Sequence, residues 1–281
     1  MTSTIRELFV YPIKSLEGIA CDELVVGDRG AVGDRRWMLV DEEGRFITQR
    51  EHPKLCRFNV SRGDSGYVIQ SSDVSEVTNS IQIPFALENG SEKQVQVWSD
   101  TMLALEASHE VNHFFREALS MPCKLVYMPE YSHRFADAAY TGERVLNSFS
   151  DGYPLLLIGS ASLDELNERL MNVGEHTIGW DRFRPNIVAT TQEPHCEDSW
   201  ASFTLGEVQA RGVKLCSRCV FTTINQRDGR KGKEPLKTLA TYRNMGGKIM
   251  FGQNVVAMKG TIRVGDSIEV IASGYPPNAK F

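Results

Sequence analysis

Apolar and polar positions in the first hundred or so residues alternate in short runs broken by glycine turns. Residues 5–11 form a β-rich run that ends at Pro12, and residues 24–26 lead into Gly27-Asp28-Arg29-Gly30. Residues 37–40 and 45–48 flank Asp41-Glu42-Glu43-Gly44, and residues 57–61 and 67–71 flank Arg62-Gly63-Asp64-Ser65-Gly66, so two hairpins are predicted there. Further strands are predicted at 80–85 and 93–98. Short strands this closely spaced favour a barrel or a sandwich. The period then changes. Ala107, Val111, Phe114, Phe115, Ala118 and Leu119 fall on one helical stripe, which predicts a helix over 107–119 with Pro122 as its stop.

The second half mixes both periods. Strands are predicted at 124–128, 153–158, 187–190, 202–205, 208–215 and 220–225, and again at 254–258 and 262–271 around Val264-Gly265-Asp266. Ser162-Leu163-Asp164-Glu165 reads as a capping box that opens a helix running to about 171, and a short helix over 236–243 follows Pro235. Between the strands and that helix, residues 226–234 form a polar loop rich in basic side chains. The fold class expected is mainly β (α+β), with two β-barrel-like units and a few helices, divided into 1–120 and 121–281.

Composition changes this picture only in detail. The 281 residues are 41% hydrophobic and 24% charged, ordinary for a globular chain with room for two cores. A formal net charge of −5 leaves no general footprint for nucleic acid, so an anionic ligand has to be met by a local basic cluster. The N-terminal stretch lacks a basic segment followed by an apolar one. No apolar run approaches the roughly 20 residues of a membrane helix. Six cysteines, Cys21, Cys56, Cys123, Cys196, Cys216 and Cys219, are scattered without the spacing of a disulfide framework. Reduced thiols, a cytoplasmic location and no membrane partner are the expectation.

Two motifs carry candidate chemistry. His109-Glu110-Val111-Asn112-His113 fits the His-Glu-x-x-His pattern in which both histidines bind zinc and the glutamate is the base. At about 100° per residue, however, both histidines lie opposite the Val111-Phe114-Phe115 stripe, so they face water and not a walled cleft. Cys216-Ser217-Arg218-Cys219 places two thiols three apart around an arginine. A structural zinc site asks for a second pair of ligands, and only His195-Cys196 is near. A redox dithiol opens a helix, whereas Val220-Phe221-Thr222-Thr223 reads as a continuing strand. The residues alone leave open two core or loop cysteines, a nucleophile, or a single soft ligand to a metal.

Lys14-Ser15, Arg35, Arg50 and Arg184-Pro185-Asn186 stand at ends of predicted strands, where barrel proteins gather ligand-binding groups. Each alone reads as a surface charge. Together with Ser217-Arg218 they would suit a phosphate-bearing anion. Periodicity does not show that they converge.

Taken in order, Tyr11-Pro12-Ile13-Lys14-Ser15, Gly33-Asp34-Arg35-Arg36-Trp37, Arg182-Phe183-Arg184-Pro185-Asn186, Glu197-Asp198-Ser199-Trp200, Cys216-Ser217-Arg218-Cys219 and Phe251-Gly252-Gln253 resemble the MOSC family over nearly the whole chain. The resemblance implies an N-terminal MOSC β-barrel domain, a MOSC domain binding the molybdenum cofactor (Mo-molybdopterin), and reduction of small N-hydroxylated compounds: amidoximes, hydroxylamines and N-hydroxy bases. It implies that Cys219 is the metal ligand and catalytic, and that Asp151 acts near the metal. Lys14, Ser15, Arg35, Arg50, Arg184, Asn186, Ser217 and Arg218, with Cys219, would hold the cofactor, and Cys216 has no assigned role. No cysteine follows Cys219, so the plant-type [2Fe–2S] cluster of some bacterial relatives has no ligands here, and a separate electron donor of ferredoxin or flavodoxin type is implied. The alternative is a cofactor carrier or insertion protein that binds the pterin without turnover.

Overall fold

The computed structural model describes residues 3–71 and 79–277. Their backbone is mainly β, with four α-helices. Seven strands close into a barrel: Leu155–Gly159, Ile187–Thr190, Ser3–Val10, Ser267–Ser273, Trp200–Leu205, Val208–Ser217 and Lys248–Ala257 neighbour one another in that order. The last of these pairs back with the first. One ladder, between Leu155–Gly159 and Ile187–Thr190, is parallel. A parallel pair needs a crossover, and the helix Ser160–Asn172 lies on it. Ile5, Leu8, Leu155, Leu157, Phe203 and Val255 are buried together in the barrel core.

The second unit is an open half-barrel. Trp37–Val40, Lys124–Tyr127, Asp100–Glu106 and Glu92–Val97 form one sheet, and Phe58–Arg62, Gly66–Ser71 and Ser80–Pro84 form another. The helix His109–Leu119 starts at Ser108, whose side chain accepts from the Val111 amide. It lays Phe114 and Phe115 on a core with Leu39, Phe58 and Ile69.

The sheets cross the sequence division at 120/121. Ser3–Val10 lies in the barrel, flanked by Ile187–Thr190 and Ser267–Ser273, and Glu23–Gly27 pairs with Gly260–Arg263. Conversely, Lys124–Tyr127 lies in the half-barrel between Trp37–Val40 and Asp100–Glu106. Periodicity reports local conformation and carries nothing about distant pairing.

Five local expectations change. Residues 45–48 are not a strand, and of these only Arg45 and Phe46 make isolated bridges, to Gln96 and Val40. Residues 220–225 do not continue as a strand. Val220–Thr223 is a 3-10 turn, in which the Thr222 and Thr223 hydroxyls donate to the carbonyls of Cys219 and Val220 at 3.0 and 2.8 Å. Such local bonds compete with a ladder. Ser162 does not cap its helix, which begins two residues earlier at Ser160; its hydroxyl donates instead to Glu197 Oε1 at 2.7 Å. Residues 262–271 split at Gly265, whose φ of 95° ends one strand and lets Gly260–Arg263 and Ser267–Ser273 join different sheets. Asp100–Glu106 is a strand that the pattern did not predict, because the outward-facing Leu103 blurs the alternation. No helix among the described residues is long and apolar enough to cross a membrane.

Candidate functional site

Strand ends from both units open onto one cleft, about 860 Å³ counting its open mouth. Lys14, Ser15, Arg35, Arg50, Asp151, Arg184, Asn186, Ser217, Arg218 and Cys219 all line it. Three of them sit on left-handed backbone. Ser15, Arg35 and Arg184 have φ of 69°, 46° and 58°, and they are half of the six non-glycine residues with positive φ among those described. Each such residue costs on the order of 1 kcal/mol and persists only where its surroundings hold it. Here Gln49 Nε2 donates to Ser15 O at 2.6 Å, the Arg35 amide to Tyr11 O at 2.7 Å, and the Arg184 amide to Trp180 O at 2.8 Å.

The cleft is strongly positive. Lys14, Arg35, Arg50, Arg182, Arg184 and Arg218 line it against one carboxylate, Asp151. Their neutralisation is uneven. Lys14 Nζ donates to Asp151 Oδ1 at 2.6 Å and to Phe149 O at 2.7 Å, and Arg35 Nη1 donates to Asp34 Oδ2 at 2.6 Å. Arg184 Nη1 donates to Leu16 O, and Arg218 donates to Phe251 O at 2.8 Å and Phe183 O at 3.1 Å. These are carbonyls and not carboxylates, and the Nη2 atom of each arginine is buried without a partner among the described residues. Both side chains line the cleft, so charge is available there for an anionic ligand.

Electrostatics follow from this crowding. Burial and then the neighbouring Arg35 lower the Arg184 pKa to about 10. The two guanidinium groups lie 4.2 and 4.3 Å from the centroid of the Tyr11 ring, which spreads their charge over its π face. Burial lowers the Lys14 pKa to about 8 against the pull of Asp151. Burial also opposes ionisation of Asp151, but Lys14, Arg50 and Arg35 outweigh it and hold the carboxylate below its usual range. Asp151 nonetheless keeps 62% of its side-chain surface open, because it stands free within the walls of the cleft.

The two cysteines differ. Cys219 is exposed at the start of the Val220–Thr223 turn. Cys216 packs against the cluster of Leu156, Phe183 and Phe251, and burial raises its thiol pKa against the opposing Arg218. Cys216 sits at an irregularity in pairing between Leu215 and Ser217, whereas Cys219 lies beyond the end of that strand. No group of three or more His, Cys, Asp or Glu among the described residues is placed to hold a metal. A metal held in the cleft would therefore need ligands besides these side chains, and the exposed Cys219 thiol is a soft donor available to it. At the other motif, His109 and His113 are exposed, with parallel rings 6.3 Å apart, and no third ligand joins them among the described residues.

Asn186 lines the cleft with its amide already occupied. Nδ2 donates to Phe9 O at 3.1 Å and Asp34 Oδ1 at 3.0 Å, while Oδ1 accepts from Arg35 Nη1 and the Leu156 amide, both at 3.2 Å. What it can offer a ligand is the placement of Arg35. The supports were missed by sequence reasoning. Buried Asp34 accepts from Tyr11 N, Asn186 and Arg35, and buried Arg134 donates to the carbonyls of Ser148, Ser150 and Asp151, which fixes the loop carrying Asp151. Asp34 stands inside a quoted motif. Arg134 had no signal, as a lone arginine in a polar loop. Glu197-Asp198 is structural: Asp198 pairs with Arg243, and Glu197 Oε1 accepts from the Gly159 amide and Ser162.

Residues 2–122 match the MOSC N-terminal beta barrel domain, and residues 145–269 match the MOSC domain. Mitochondrial amidoxime-reducing component 1 of Mus musculus is 30% identical over 95% of this chain and 82% of its own length. The Homo sapiens protein of that name is 29% identical over 95% and 83%. Molybdenum cofactor sulfurase of Oryza sativa subsp. japonica is 31% identical over 88% of this chain, which spans 32% of that larger protein. The chain belongs to the MOSC family, with both matched regions contributing residues to one cationic, cysteine-bearing cleft.

Proposed function

We propose that this protein is a molybdenum-cofactor-dependent reductase of small N-hydroxylated compounds, supplied with electrons by a separate protein. The observation that carries the reading is a single cleft in which an exposed thiol, Cys219, stands with two arginines whose buried Nη2 atoms have no partner among the described residues. The similarity to amidoxime-reducing components supports the choice of reaction.

In this reading Lys14, Arg35, Arg50, Arg184, Ser217 and Arg218 hold the phosphate and ring of the pterin by charge-assisted hydrogen bonds, while the Ser15 turn shapes the wall. Asn186 and Asp34 fix the Arg35 guanidinium. Cys219 gives the metal its protein ligand. Asp151, kept ionised by Lys14, accepts hydrogen bonds from the amino group of an amidoxime and orients its N–O bond. The bound cofactor supplies the two-electron chemistry that cleaves that bond. The balance is one N-hydroxy group, two electrons and two protons, giving the N–H product and water.

The test is purification from a cofactor-replete host, with molybdenum and pterin analysis and benzamidoxime reduction driven by reduced methyl viologen. Stoichiometric molybdenum with amidine formation is expected. Cys219→Ser should lose both metal and reduction while keeping its fold by circular dichroism, since this side chain is exposed; retention of both would sink the assignment. Bound pterin that moves into an apo-molybdoenzyme, with no reduction, would establish the carrier instead.

A further inference from the structure

A second, wider hollow lies next to the cleft, about 2100 Å³ counting its open mouth. The two share Arg182, whose Nε donates to Thr222 O at 2.7 Å and whose Nη2 donates to Glu234 O at 3.2 Å. They are also joined by the Val220–Thr223 turn: Cys219 at its start lines the cleft, and Thr223 at its end lines the groove.

The groove is basic in an acidic chain. Arg182, Arg227, Arg230, Lys231, Lys233 and Lys237 line it against Glu175, Asp181 and Glu234. All of those basic residues but Arg182 are exposed. Arg230 is paired with Asp228 at 2.6 Å, and Lys231 Nζ donates to Arg50 O at 2.7 Å. Arg227, Lys233 and Lys237 have no ion pair among the described residues. Their frame is fixed. The Asn225 amide donates to Arg230 O at 2.9 Å and the Gly229 amide to Asn225 O at 2.8 Å. Gln226 Nε2 donates to Gln49 Oε1 at 2.9 Å, and Gln49 in turn holds the Ser15 turn of the cleft.

Within the turn that joins the two hollows, Val220 is 56% exposed and adjacent to Cys219. A small apolar contact bordered by unpaired cations, beside a redox centre, is what a brief electrostatically steered encounter requires. No Phe, Tyr or Trp lines the groove, so bases of a nucleic acid would find no stacking platform.

We propose that this groove is the docking face for a small acidic electron-transfer protein, steered by Arg227, Lys233 and Lys237 so that its redox group meets the turn at Val220. The proposal rests on the reductase reading, since it names where the electrons of that reaction enter. The probes are a reduced plant-type [2Fe–2S] ferredoxin and a flavodoxin, both acidic, with reduced methyl viologen as a small donor that needs no docking.

Either acidic protein should bind at low ionic strength, measured by fluorescence anisotropy, with affinity falling about tenfold or more between 20 and 200 mM salt, a range over which screening shortens steeply. The triple variant Arg227→Glu/Lys233→Glu/Lys237→Glu should weaken that binding and the protein-driven rate by about tenfold or more, and flatten the salt dependence. Viologen-driven turnover of the same variant should match wild type, which also shows that it is folded and loaded. Absence of binding by both acidic proteins, binding that the triple variant leaves intact, or tighter binding of single-stranded DNA than of either protein at this face would overturn the proposal. If wild type fails with viologen, the reductase reading fails instead, while the anisotropy still decides the docking face.

Discussion

Arg243 and Arg184 are both nearly buried in or beside the same barrel, at 6% and 9% exposure, and the protein treats them oppositely. Arg243 is closed: Asp198 takes its Nη2, Met250 O takes its Nε at 3.0 Å, and Asp198 adjoins a Glu197 held by Ser162 and the Gly159 amide. Arg184 is open. It has a carbonyl partner, a ring to stack on, an Nη2 without a partner among the described residues, and a backbone φ of 58°. A guanidinium held by a buried carboxylate is committed to the fold, whereas one held only by a carbonyl keeps charge to offer at the cleft.

The sharpest way to break this comparison is Asp198→Ala. It leaves the Arg243 guanidinium buried without its carboxylate, and unfolding in urea should show a loss of about 3–5 kcal/mol. A loss below about 1 kcal/mol would erase the distinction between the two arginines. Arg184→Gln should behave in the reverse manner. Stability should stay within about 1 kcal/mol of wild type, while affinity for inorganic pyrophosphate, a probe of the anion site, should fall roughly 10- to 100-fold, the value of a charged hydrogen bond. Equal affinity in calorimetry would count against the cleft as an anion site.

A smaller effect comes from pH. The Lys14 ammonium is charged below about pH 8, so pyrophosphate affinity should decline as pH rises through that value, by up to about tenfold, and Lys14→Met should remove the step. Stability of the ligand-free protein should carry the opposite sign. Lys14 has its pKa lowered from 10.5 to about 8 on folding, so between those values the unfolded chain binds more protons, and this group's contribution to stability rises with pH. A pH-independent affinity would remove Lys14 from the anion site. A comparably small change is expected from Ser162→Ala. It deletes one donor to the buried Glu197, whose carboxyl pKa is raised by burial, and the acceptor of the His195 amide, and should cost about 1–2 kcal/mol because the Gly159 amide still serves the same carboxylate oxygen.

Much of the cleft was legible because its lining residues stand in compact motifs at strand ends, as with Tyr11-Pro12-Ile13-Lys14-Ser15 and Cys216-Ser217-Arg218-Cys219. The supports were not legible. Arg134 works by donating to the carbonyls of Ser148, Ser150 and Asp151, and Gln49 by holding Ser15 O and receiving Gln226. Backbone carbonyls leave no mark in residue identity, so nothing in the chain flags the side chains that serve them. The inequality of the two cysteines was likewise invisible to spacing, since it depends on an irregular pairing after Leu215 and on a 3-10 turn where alternation suggested a strand.

The sequence by itself determined a mainly β chain, most of its strands and both long helices, because alternation and the helical stripe are local properties written in side-chain polarity. Only the tertiary structure decided that Ser3–Val10 closes a barrel built otherwise from the C-terminal half, and that Lys124–Tyr127 completes the half-barrel. It alone decided that six cations meet one carboxylate in a single cleft with Cys219. Convergence of that kind depends on which strand ends lie side by side, and that is fixed by non-local pairing and core packing, for which a linear pattern has no term.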